Sequence, residues 1–152
     1  VALLLAAACN GKGDRELVKP VIRDRGDRVQ LMMGGKKVTL EVAATHAKRA
    51  KGLMRRKALE EDHGMIFVYR EPEIMKFYMR DTWIPLSIAF VKSDGTVLNI
   101  EEMRPNTESP SHMSRGMCRF AIEMTQGWFA EHGIKAGDKI TLTPEILAIK
   151  AE

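Results

Sequence analysis

The chain has 152 residues, 45% hydrophobic and 29% charged, a balance that suits one core-forming domain and excludes collagen-like or wholly disordered chains. Its formal charge of +4 is the small excess of 24 basic over 20 acidic residues dispersed along the sequence, so nucleic acid is not an expected partner. No apolar run approaches the ~20 residues that span a bilayer, and two cysteines make neither a disulfide scaffold nor a four-thiolate zinc site.

The first eight residues, Val1-Ala2-Leu3-Leu4-Leu5-Ala6-Ala7-Ala8, form an apolar stretch ending in small side chains and running into Cys9. This is the pattern of a secretory signal and its cleavage zone. It resembles a bacterial lipobox, with Ala6 where Leu is usual and Leu5 one place further back. The resemblance implies that residues 1–8 are the remnant of a signal peptide and that Cys9 is acylated. Each buried methylene contributes ~0.8 kcal/mol, so several acyl chains make a stable membrane anchor. Residues 9–28 then read as a tether, with Gly11, Gly13, Pro20 and Gly26 among alternating charges. Such a segment buries too little to offset its ordering entropy. The expectation is a lipid-anchored protein of the bacterial envelope, facing the periplasm. Asn10 stands where enteric lipoproteins of the inner membrane carry Asp, which points toward the outer membrane.

Residues 29–152 read as a single globular domain. Gly34-Gly35 is a turn between Val29–Met33 and a strand at Val38–Val42. Thr45 stands at an N-cap position before a basic helix, with Ala47, Ala50, Leu53 and Met54 spaced to form its inner face. Gly64 opens the strand Met65–Tyr69. Lys76–Met79 leads through Arg80–Pro85 into the strand Leu86–Val91, and Lys92-Ser93-Asp94-Gly95 is a hairpin turn returning as Thr96–Ile100. Phe120–Glu123 is a further strand. Thr125 is placed to cap a short helix, Gln126–His132, with Gly133 as its stop. Ala136-Gly137-Asp138 turns into a final strand, Lys139–Thr143, followed by a strand-like run at Ile146–Ile149. Many short strands and two short helices predict an α+β fold dominated by antiparallel sheet, with enough strands to curl toward a barrel.

Three stretches together resemble one family. They are Arg49–Arg56 followed by Gly64–Val68; Phe77-Tyr78-Met79-Arg80-Asp81-Thr82-Trp83-Ile84-Pro85-Leu86-Ser87-Ile88-Ala89-Phe90; and Glu123 with Gly127-Trp128-Phe129 and Gly133–Asp138. Their order and spacing are those of the domain of unknown function number 192 family, over Val38 to about Leu142. The resemblance implies a compact, mainly β domain, often exported, and no established activity. The chain departs from the family pattern, which usually has Trp, Lys and Asn where Tyr78, Arg80 and Asp81 stand, and Asp where Ser87 stands. A carboxylate and a hydroxyl differ widely in charge and basicity, so a base or metal-ligand role of the family Asp would be lost at Ser87, with Asp81 six residues earlier as a substitute.

The segment most like a site is Tyr78–Ser87, where a phenol, a guanidinium, a carboxylate and a hydroxyl crowd a turn that Pro85 ends, beside Trp83. Tyr78, Arg80, Asp81 and Trp83 are the candidate ligand-binding residues. Arg80 can grip an anionic group while Tyr78 or Trp83 stacks on a sugar or base; the simpler alternative pairs Arg80 with Asp81. Neither the ten methionines nor His112, Met113, Met117 and Cys118 show repeated ligand spacing, so no metal and no cofactor are expected. The expected function is non-catalytic binding of a small-molecule or polymeric envelope ligand, such as a glycan. The alternatives are a hydrolase using Asp81 with Glu123 or Asp138, and a structural partner of another envelope protein. A cleft holding a carboxyl of strongly raised pKa favours the enzyme, a shallow aromatic-floored groove favours binding, and a contiguous exposed apolar patch favours the partner.

Overall fold

A computed structural model describes residues 27–152; the signal remnant, Cys9 and nearly all of the tether lie outside the described residues. The domain is α+β and mainly antiparallel. Its strands are β1 (Arg28–Met33), β2 (Lys36–Ala43), β3 (His63–Glu73), β4 (Lys76–Phe77), β5 (Leu86–Val91), β6 (Val97–Met103), β7 (His112–Met113) and β8 (Cys118–Thr125). Three short helices accompany them: α1 (His46–Lys51), α2 (Trp128–Glu131) and α3 (Pro144–Leu147). Six strands form one sheet in the order β1-β2-β3-β8-β5-β6, and β4 and β7 pair separately. Only β2 and β3 run parallel; the other pairings in the large sheet are antiparallel. The sheet is open, with β1 and β6 as its edges, and does not close into a barrel.

The hairpins follow from their turns. Gly34 and Gly35, at φ 57° and 75°, supply the left-handed backbone that joins β1 to β2. Gly95, at φ 89°, does the same between β5 and β6. The strands β5 and β8 are covered on both faces, which is why they read as mostly apolar text rather than strict alternation. On one face Leu40, Ile66, Val68, Phe120, Ile122 and Met124 pack against Trp128 and Phe129 of α2 and Ile146 of α3. On the other, Met65, Phe67, Leu86, Ile88, Phe90 and Ala121 pack beneath Leu53, Met75, Phe77 and Met79. The candidate site is built on this second face.

Several local expectations are corrected. Ile146–Ile149 is not strand-like: Thr143 accepts a hydrogen bond from the Ile146 amide and Pro144 sits at the first helical position, so α3 starts there. Lys139–Thr143 makes only an isolated bridge, Thr96 with Lys139. Thr125 is the last residue of β8, and Gly127, at φ 84°, occupies the N-cap of α2 with no side-chain cap. Thr45 does cap α1, accepting from the Lys48 amide at 3.2 Å. Yet Ala47 and Ala50 are exposed and no residue of α1 is buried. The helix ends after six residues at Gly52, so Leu53, just beyond it, carries the apolar contact. The segment after α1 is held to β2 by a bidentate pair, Arg56 to Glu41, at 2.6 Å for both bonds. That contact keeps the Glu41 carboxyl below its usual pKa.

Candidate functional site

Strand β8 sets the floor of the site. Glu123 pairs with Met65 on β3 and with Ile88 on β5, so its side chain emerges on the second face among apolar neighbours. It is 6% exposed. Among the described residues its carboxyl has no hydrogen-bond or ion-pair partner, although no buried polar atom is sealed away without one. The carboxyl therefore reaches open space rather than closed core. Burial raises its pKa from 4.5 to about 8, because the ionised form would be desolvated without compensation. At neutral pH it is mostly the protonated acid, able to donate one hydrogen bond and accept others.

That open space is a cleft of about 460 Å³, within the range of small-molecule sites. Its walls include Gly52 and Leu53 after α1, Phe67 and Tyr69 from β3, and Phe77 and Tyr78 from β4 and the residue after it. Phe67 and Phe77 meet edge to face with ring centroids 4.9 Å apart, a favourable aromatic geometry that fixes both rings. Gly52, at φ 46°, has its Cα turned toward Phe67, whose ring a Cβ there would contact at 3.4 Å. Arg49 braces one wall. Its guanidinium donates to the carbonyls of Ala44, Val68 and Glu152 at 2.9, 3.0 and 2.9 Å and lies over the Tyr69 ring at 4.6 Å. Burial raises the Tyr69 phenol above its ordinary pKa, keeping it a neutral donor. The basic helix is thus partly structural, because one of its arginines ties three chain segments together.

Of the four residues singled out in Tyr78–Ser87, Tyr78 lines the cleft; Arg80, Asp81 and Trp83 are outside its lining. Arg80 grips Glu108 through two bonds of 2.9 and 2.8 Å, both side chains exposed, and its guanidinium lies 5.2 Å from the centre of the Tyr78 ring. The alternative pairing of Arg80 with Asp81 is not formed. Asp81 instead approaches Arg55 at 3.7 Å from a left-handed backbone, φ 51°. Trp83 is 48% exposed. Asp138 accepts from the Lys135 amide and ammonium at 2.9 and 3.0 Å, away from Glu123. Ser87 is buried, donating to Glu102 and accepting from the Gly127 amide at 2.8 Å. His112 meets Glu101 at 3.1 Å, and Cys118 is buried with its thiol pushed up to about 11 by desolvation, so it is no ready nucleophile. Exposed large apolar side chains include Ile74, Met113 and Met117.

The rest of the wall was missed in the sequence. One signal existed: Glu123 is the single charge in the apolar run Phe120–Met124, and a charge buried without a partner calls for a functional explanation.

The fold and this cleft define a class: a mainly antiparallel α+β domain with an aromatic-walled cavity over one buried acid. The chain belongs to the domain of unknown function number 192 family, described as "Uncharacterized ACR", whose sequence profile matches residues 29–142. It is similar to a solved protein of unknown function from Novosphingobium aromaticivorans DSM 12444, at 36% identity and a TM-score of 0.67, over 76% of this chain and 84% of that one. It is also similar to a Sinorhizobium meliloti 1021 protein named for a proposed transcription-regulator role, at 31% identity and a TM-score of 0.65, over 75% of this chain and 91% of that one. No curated protein matches the chain significantly.

Proposed function

We propose that the chain is a non-catalytic binding domain of the bacterial envelope that takes a small organic ligand in the cleft over Glu123. The observation that carries this reading is the unpartnered Glu123 carboxyl at the base of an aromatic-walled cavity. Removing a carboxyl from water without a partner is costly, and a ligand that supplies the missing hydrogen bond recovers that cost. Filling the mouth tests it. Ala50 lines the cleft yet is exposed, so Ala50→Trp obstructs the site without disturbing the core. In a thermal-shift panel of neutral, anionic and cationic small molecules, compounds that stabilise the wild type are expected to lose their effect in Ala50→Trp. Stabilisation that survives the bulky side chain would place binding elsewhere.

One observation favours the hydrolase as a second reading: a carboxyl held protonated near neutral pH is what a general acid requires. The partners envisaged for it, Asp81 and Asp138, lie outside the cleft lining and are engaged with Arg55 and Lys135. Turnover of an aryl glycoside or ester that vanishes in Glu123→Gln would decide for the enzyme.

The envelope location rests on the sequence around Cys9. Cys9→Ser is expected to move the full-length protein from the membrane fraction to the soluble periplasmic fraction, since residues 10–28 are too polar to retain it. Retention of the variant in membranes after a high-salt wash would overturn the lipid anchor.

A further inference from the structure

The chemistry of the cleft narrows its ligand, given the reading of the cleft as a binding site. We infer that the cleft takes an organic ammonium cation, its charge set against the Glu123 carboxylate and its hydrocarbon part against Phe67 and Phe77. Below the exposed residues of the mouth, the polar side chains of the lining besides Glu123 are Thr82, Arg49 and the Tyr69 phenol. Thr82 donates to the Arg80 carbonyl at 3.1 Å, and Arg49 is bound to three carbonyls. A polyol would bring several hydroxyls to a floor that offers the Glu123 carboxyl and the Tyr69 phenol, and most would stay unsatisfied. An anion would find no free buried cation. A compact cation with an apolar body answers the acid and the rings together: its charge is set against the one unpartnered buried carboxyl, and its alkyl groups meet aromatic walls, the arrangement by which proteins recognise quaternary ammonium groups. Two of the rings already hold cations of the protein itself, Tyr69 under Arg49 and Tyr78 under Arg80.

The surrounding charges do not oppose this. At the mouth, exposed Lys51, Arg70 and Lys76 are balanced by exposed Glu71, Glu73 and Glu152, and exposed charges are screened beyond ~8 Å at physiological salt; the further cation of the lining, Arg49, is turned into three carbonyls and over the Tyr69 ring. Glu152 also faces His46 at 3.3 Å. Along the sheet, the strands on either side of Glu123 present Met65 and Ile88, which do not titrate. One strand further out, Glu41 is neutralised by Arg56 and Glu101 faces His112. Glu123 is therefore the buried acid available to a cation inside the cleft, and binding to its carboxylate must displace its proton.

That linkage supplies the test. Benzyltrimethylammonium carries a charge that no pH removes, so any pH dependence belongs to the protein. Measured by calorimetry at constant ionic strength, its affinity is expected to rise about tenfold between pH 6 and pH 7, with release of a proton to the buffer. Glu123→Gln should stay folded by circular dichroism, bind the cation at least tenfold more weakly and lose the pH dependence. A slope that persists in Glu123→Gln would belong to another group lining the mouth and overturn the assignment. Affinity that falls with pH, or no binding of the cation, would also overturn it. Neutral benzyl alcohol separates this failure from failure of the cleft itself. If the alcohol binds wild type and is excluded by Ala50→Trp, the cleft stands and its ligand is neutral. If neither probe is sensitive to Ala50→Trp, the cleft reading fails with it.

Discussion

Glu123→Gln is expected to stabilise the domain by about 3 kcal/mol at pH 7 and to add almost nothing at pH 4.5. The reasoning is linkage. The folded protein holds the Glu123 proton up to about pH 8, whereas the ordinary carboxyl value is 4.5. Between those values the unfolded chain has released a proton that the native state still binds. Native stability from this group is therefore fully present below pH 4.5 and declines by about 1.4 kcal/mol per pH unit as pH rises, levelling off above the folded value. Glutamine cannot ionise in either state, so the variant escapes that decline. Denaturant unfolding of both proteins from pH 4.5 to pH 8.5 should show curves that diverge steadily with pH. The other displaced carboxyls, including Glu41, are held below their ordinary values by their partners and are common to both proteins, so they cancel in the comparison. Parallel curves would mean that Glu123 is hydrated or paired in solution, and the cleft would lose its defining feature. The sign also bears on function. A residue kept at a cost to stability near neutral pH, when glutamine would fit, is a mark of sites under functional demand.

Much of the frame was readable from local chemistry. Glycines at Gly34-Gly35 and Gly95 impose left-handed turns that few other residues accept, so both hairpins were visible. The apolar runs of β5 and β8 could be only covered strands. Thr45 and the short polar–basic stretch after it announced α1. The failures came where local text is ambiguous or where distance in sequence rules. Ile146–Ile149 looks like strand by composition, but Thr143 and Pro144 ahead of it form a helix start, a signal that outweighs the β-branched residues following. The cleft was legible only through Tyr78 and Glu123. Its walls come from segments as far apart as His46 and Glu152, and pairings between distant strands, such as β3 with β8 joining residues 65 and 123, set the acid beneath them. Arg80 misled for a related reason. Its partner Glu108 is 28 positions away, so a nearby carboxylate, Asp81, was the natural but incorrect companion.

Gly64→Ala is expected to cost about 3 kcal/mol or more, the upper range for overpacking in a core, although it adds a single methyl group. Gly64 is buried on β3, between Leu40 of β2 and the Glu123–Met124 segment of β8. A Cβ at this position would run into the main-chain oxygen of Glu123 and come within 2.5 Å of the Met124 sulfur. Methionine can swing aside, since its side chain is unbranched and adaptable. The carbonyl oxygen cannot move without shifting β8, a strand paired on both sides within the sheet. Backbone strain plays no part, because Gly64 is not in the left-handed region; the whole effect is steric. Gly116→Ala is the matched control. It too avoids the left-handed region, and its added Cβ would meet only the Leu98 Cδ1 at 3.2 Å, the end of a side chain that can turn away, so its cost should stay below about 1 kcal/mol. Denaturant midpoints of the two variants would separate them clearly. A small loss at Gly64, comparable to that at Gly116, would show that β8 can yield at Glu123. The floor of the cleft would then be compliant, and the acid would not be held by the sheet. If the loss is large, the same close approach that forbids a methyl group at Gly64 fixes the main chain from which Glu123 reaches into the cavity.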